Sequence, residues 1–64
     1  MTPIEKVMSF LDTQADPWFE LRYRNDRWVG AVGWSDLGHP QYPIIATDDT
    51  REDALAALAE RLPE

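Results

Sequence analysis

The chain has 64 residues, with 12 Asp or Glu against six Lys or Arg, and a formal net charge of −6. It contains no cysteine, which excludes a disulfide scaffold, a cysteine nucleophile and a thiolate zinc site. Its length leaves no room for a deep catalytic cleft beside a core, because a domain of this size buries only about 60% of its unfolded surface. No apolar run approaches the ~20 residues of a membrane helix. The start, MTPIEKVMSFLD, lacks the basic lead and continuous apolar stretch of a signal peptide. Residues 1–64 therefore read as one small domain, expected in the cytoplasm, with no cofactor and no metal.

Residues 1–13 read as a helix. Thr2 is a good N-cap, Pro3 a good first helical residue, and Glu5 completes a capping box. Ile4, Val7, Met8 and Leu11 follow the spacing of one buried stripe, with Phe10 at its edge or exposed. Residues 13–17, TQADP, form a polar connection, and Pro17 biases Asp16 away from helix.

The stretch from Trp18 to Trp34 carries all three tryptophans and reads as two strands around an Asn25-Asp26 turn. A two-residue loop sets Arg24 opposite Arg27 and Tyr23 opposite Trp28, at a mild cost in like-charge repulsion. Alternation then gathers Phe19, Leu21, Tyr23, Trp28, Gly30, Val32 and Trp34 on one apolar face. The other face shows Trp18, Glu20, Arg22, Arg24, Arg27, Val29 and Ala31. Gly30 and Gly33 mark a bulge or room for a bulky neighbour, and an aromatic ring over Gly30 would use that room.

Residues 35–41, SDLGHPQ, read as a loop. YPIIAT, residues 42–47, reads as a third strand with Tyr42, Ile44 and Ala46 on one face and Pro43 at a free edge. Asp48-Asp49-Thr50 turns into a second helix capped by Thr50, with Asp53 three residues on. Ala54, Leu55, Leu58, Ala59 and Leu62 give its buried stripe, and Pro63 stops it. The order helix-strand-strand-strand-helix implies a two-layer α+β fold. Its three-stranded antiparallel sheet has one face covered by both helices and the other left open.

Three constellations suggest chemistry. Ser35, Asp36 and His39 hold the residue types of a hydrolase triad, but a turn loop in so small a domain does not supply the required line of groups and an oxyanion hole. Asp48, Asp49, Glu52 and Asp53 form an acidic cluster separate from the arginines. Their spacing lacks a calcium-loop pattern, and helix capping accounts for Glu52 and Asp53. Trp18, Arg22, Arg24 and Arg27 on the open face combine residues used for nucleic-acid stacking and for protein-interface hot spots. The bland alternative is that the arginine stems cover the sheet, with Glu20 pairing Arg22. A net charge of −6 steers nucleic acid away.

The element order and length are similar to those of the double-stranded RNA-binding domain. That family grips phosphates with a lysine-rich start to its last helix, whereas this chain places Thr50-Arg51-Glu52-Asp53 there. The fold is what this resemblance implies; the opposite charge argues against RNA binding. TDDTREDALAALAERL resembles the helix start of HicB-type antitoxins through Asp49, Thr50, Asp53, Ala54 and Leu55, and Ser35-Asp36-Leu37 resembles their turn. That resemblance implies a protein partner, in that family a small RNase toxin.

The expected function is non-enzymatic. A small acidic inhibitor or antitoxin-like domain would occlude a partner protein, for example one that handles nucleic acid, by setting carboxylates where phosphates sit. Its expected contact residues are Trp18, Arg22, Arg24 and Arg27 on the sheet and Asp48, Asp49, Glu52 and Asp53 at the helix start. The alternative is a nucleic-acid-binding module using the open Trp/Arg face. A free edge strand also offers pairing to a second copy, giving a homodimer.

Overall fold

Strands β1 (Ala15–Arg24) and β2 (Arg27–Asp36) form the hairpin that the alternation predicts. This computed structural model describes residues 2–36, 38–40 and 43–63. Arg24 faces Arg27 and Tyr23 faces Trp28, with the register held through Trp18 and Gly33. Asn25 and Asp26 both take positive φ, 54° and 62°. That is the backbone of a two-residue type I′ turn, whose twist matches the strands it joins. The expected connection at 13–17 is shorter than predicted: β1 already begins at Ala15. Between Ala15 and Trp18 the register slips, so β1 carries an extra residue there beside Pro17.

β2 is the central strand. Along its other side run β3 (His39–Pro40), paired with Ser35 and Asp36, and β4 (Ile44–Asp48), paired with Trp28 through Val32. All pairings are antiparallel. The predicted loop at 35–41 therefore contains the last two residues of β2 and the two-residue β3 that pairs with them. Proline can occupy such a place because a strand end leaves its missing donor unneeded. Tyr42, expected in the third strand, lies outside the described residues, as does Leu37.

Helix α1 (Pro3–Leu11) starts with both halves of its capping box: Glu5 N–H donates to Thr2 Oγ1 at 3.2 Å, and Thr2 N–H to Glu5 Oε1 at 3.3 Å. Helix α2 (Arg51–Arg61) is capped by Thr50, whose Oγ1 accepts from Asp53 N–H at 3.1 Å. Both helices pack on the apolar sheet face. Val7 and Leu11 of α1, Leu58 and Ala59 of α2, and Leu62 just beyond it close over Val32 and Ala46.

The buried stripe of α1 differs from the predicted one. Val7 and Leu11 are buried, but Ile4 and Met8 are 37% and 36% exposed. Phe10 packs against the core instead, its ring meeting Trp34 edge-to-face at 5.1 Å between centroids. Periodicity gives a helix a face, and an aromatic partner in the sheet then decides how the helix rolls.

Gly30 is indeed overlain, though by an aliphatic side chain rather than a ring. A Cβ there would sit 3.3 Å from Leu58 Cδ2, so the glycine lets α2 approach the sheet. Tyr23, assigned to the same apolar face, is 59% exposed because it lies at the hairpin end. There it packs with Trp28 at 5.4 Å, and Arg51 stands over Trp28 at 5.9 Å.

Candidate functional site: the open sheet face

The register lays out the uncovered face row by row. Trp18 lies beside Gly33; Glu20 lies beside Ala31 and then Ile45; Arg22 lies beside Val29 and then Thr47; Arg24 lies beside Arg27. The face thus has an apolar end near the bulge and a basic end near the turn.

The apolar end is built on a glycine. A Cβ at Gly33 would overlap Nε1, Cε2 and Cζ2 of Trp18, so the indole lies directly on the Gly33 backbone. A ring in van der Waals contact with backbone is held by that contact, while its outer surface stays in water: Trp18 remains 44% exposed. Ile45 on the same face is 47% exposed. Ala31, expected to be open to solvent, is buried among its neighbours.

The basic end is less basic than its sequence suggests. Arg22 Nη2 is paired with Glu20 on the same strand. Arg27 Nε lies 3.6 Å from Asp49 Oδ1. Arg24 has no carboxylate within ion-pair distance among the described residues.

The Arg27–Asp49 pair corrects one expectation. The acidic cluster and the arginines are not separate surfaces; they meet at the hairpin end, where the start of α2 comes alongside the turn. This contact also offsets the repulsion between Arg24 and Arg27. Within the cluster, Asp49 N–H donates to Asp48 Oδ1 at 2.7 Å, and Glu52 lies 3.5 Å from Arg51. Asp48 is half-buried opposite Trp28 on the helix-covered side, while Asp49, Glu52 and Asp53 are exposed. Two of the four carboxylates, those of Asp49 and Glu52, carry an arginine of this chain. Among the described residues, no three potential metal ligands converge and no pocket is present. Of the residues in the triad pattern, Ser35 lies in β2 and His39 in β3, while the side chains of Asp36 and His39 fall outside the described set.

Ile45 belongs to this face and was not among the expected contact residues. The signal was present: the alternation that turns Ile44 and Ala46 inward turns Ile45 outward. The seat under Trp18 was half legible, since Gly33 was expected to make room for something bulky. No family model, curated protein or solved structure matches this chain.

Proposed function

We propose that this chain is a non-enzymatic binding domain that lays its open sheet face on a partner protein and occludes the surface it covers. The observation that carries the reading is Trp18, seated on Gly33 with its outer face in water, on the same sheet face as exposed Ile45. A seated ring gives up little freedom on binding, so its buried area converts to affinity at low entropic cost. Glu20, Arg22 and Arg24 follow it along β1 toward the turn and give the same face a polar side, as interfaces combine an aromatic anchor with polar groups.

The ion pairs favour protein over nucleic acid. Arg22 and Arg27 are each engaged by a carboxylate of this chain, and exposed Asp49, Glu52 and Asp53 border the basic end. With a net charge of −6, this arrangement gives a phosphate backbone little net attraction. The same acidic border complements a basic partner surface, such as the groove of a protein that handles nucleic acid. The resemblance of the α2 start to antitoxin sequences fits an inhibitor of this type.

Affinity capture from native lysate, with and without nuclease, tests the proposal when wild type is run beside Trp18→Ala and Ile45→Asp. The expected result is a stoichiometric protein that survives nuclease and is lost from both variants. Bound nucleic acid, capture that vanishes on nuclease treatment, or equal capture by all three chains would overturn it, the first two in favour of the nucleic-acid reading.

A further inference from the structure

We propose that β1 pairs antiparallel with β1 of a second copy of this chain, about a twofold axis passing at Leu21. The pairing uses the sheet edge rather than the open face, so it does not depend on the partner proposal above.

The direction of the backbone groups comes first. Arg61 Nη1 donates to the carbonyl of Ile45 at 2.8 Å, so the Ile45 backbone points away from β2. In antiparallel sheets both groups of a residue face the same side, and successive residues alternate. Ile44, Ala46 and Asp48 therefore face β2, and Trp28, Gly30 and Val32 face β4 in return. Val29 and Ala31 then face β1, where they meet Arg22 and Glu20. That leaves the N–H and C=O groups of Phe19, Leu21 and Tyr23 directed outward.

The two edges of the sheet are treated differently. The β4 edge is blunted by the Arg61 bond and preceded by Pro43, devices that stop a strand from recruiting another. From Trp18 to Arg24, β1 has no proline. Among the described residues no hydrogen bond from another element reaches its outer side.

The sequence of that edge is self-complementary in one register. Keeping open face with open face allows twofold centres at Glu20, Leu21 or Arg22 within the central stretch. A centre at Glu20 sets Glu20 against itself, and a centre at Arg22 sets Arg22 against itself, both like-charge pairs. A centre at Leu21 sets Glu20 opposite Arg22 of the second copy, and Arg22 opposite its Glu20. It also sets Trp18 opposite Arg24, a cation–π pairing, and Phe19 opposite Tyr23, an aromatic pair on the other face. Leu21 meets Leu21. The outward groups of Phe19, Leu21 and Tyr23 then bond to those of Tyr23, Leu21 and Phe19 across the axis. The ends agree as well: the bulge beside Pro17 in one copy falls at the Asn25-Asp26 turn of the other, so pairing stops at both ends together. The product is one continuous sheet with its helices on one side and two open faces side by side.

Sedimentation analysis across a concentration series, with amide hydrogen exchange, tests this. Wild type is expected to dimerise. Amides of Phe19, Leu21 and Tyr23 should gain protection as concentration rises, while those of Glu20, Arg22 and Arg24 are protected throughout by β2. Glu20→Arg and Arg22→Glu each replace two attractive pairs by two repulsive ones and should weaken association about tenfold or more. The double exchange restores opposite charges and should restore the dimer. A wild-type chain that stays monomeric with freely exchanging Phe19, Leu21 and Tyr23 amides would overturn the proposal. So would a dimer whose single variants, folded by circular dichroism, associate as tightly as wild type.

Discussion

Gly33→Ala should dislodge Trp18. A Cβ at position 33 would overlap three atoms of the indole, and β2 is the central strand and cannot give way. The ring can, because 44% of Trp18 is already exposed. The loss is bounded by what the ring now buries. A large aromatic residue buries up to about 250 Å², and the buried half or so is worth roughly 3 kcal/mol at about 25 cal/mol/Å². Discounting by about a third for a compact unfolded chain leaves about 2 kcal/mol. Replacing glycine by alanine within a strand returns roughly 0.5–1 kcal/mol. The net expectation is a destabilisation of about 1–1.5 kcal/mol, a drop of several degrees in Tm for a domain of this size. Urea unfolding followed by circular dichroism measures it, and indole emission should shift to the red as Trp18 enters water. In a Trp18→Ala background the clash is gone, so Gly33→Ala should be neutral or mildly stabilising. An equal cost in both backgrounds would refute the seat, because the two residues would then not be coupled.

The caps and the core give two further tests. Thr50→Ala removes the hydroxyl that accepts from Asp53 N–H and should cost about 1 kcal/mol in the same urea assay. Leu11→Ala should cost about 2–4 kcal/mol because Leu11 is buried in the core cluster, whereas Met8→Ala, at a partly exposed site, should cost under about 1 kcal/mol. Equal losses at the two positions would restore the helix face that simple periodicity predicts.

Particular residues show which parts of this fold were legible in the sequence. The hairpin register was, because Asn25 and Asp26 both accept positive φ and β1 alternates apolar and polar residues from Phe19 to Arg24. Both N-caps were, because capping is a local interaction between residues a few positions apart. The roll of α1 was not. It depends on Phe10 finding Trp34, a residue 24 positions away in sequence, and no local pattern encodes that meeting. The choice between Gly30 and Gly33 was also hidden. The β1 irregularity beside Pro17 ends the regular register at Trp18, and it is Trp18 whose ring lies over Gly33. The contact of Arg27 with Asp49 depends on where α2 lands relative to the hairpin, so the two charged groups looked independent until the layers were assembled. Ile45 was readable from alternation alone, and its exposure gives the face a second exposed apolar group.

The positions of the two charged groups also bear on how a partner would be recognised. With acidic and basic residues meeting at one end of the sheet and the apolar residues at the other, orientation on a partner would be set by the charged end and affinity by the apolar end.

Whether the open sheet face is the docking surface is tested most directly by hydroxyl-radical footprinting of the chain, alone and bound to the captured protein. Ile4 and Met8 are exposed on α1, away from that face, and serve as internal references. The expected result is strong protection of Trp18 and Ile45 on binding, with Ile4 and Met8 labelled as in the free chain. Protection of Met8 and Ile4 with Trp18 unchanged would contradict it and move the interface to the helix layer.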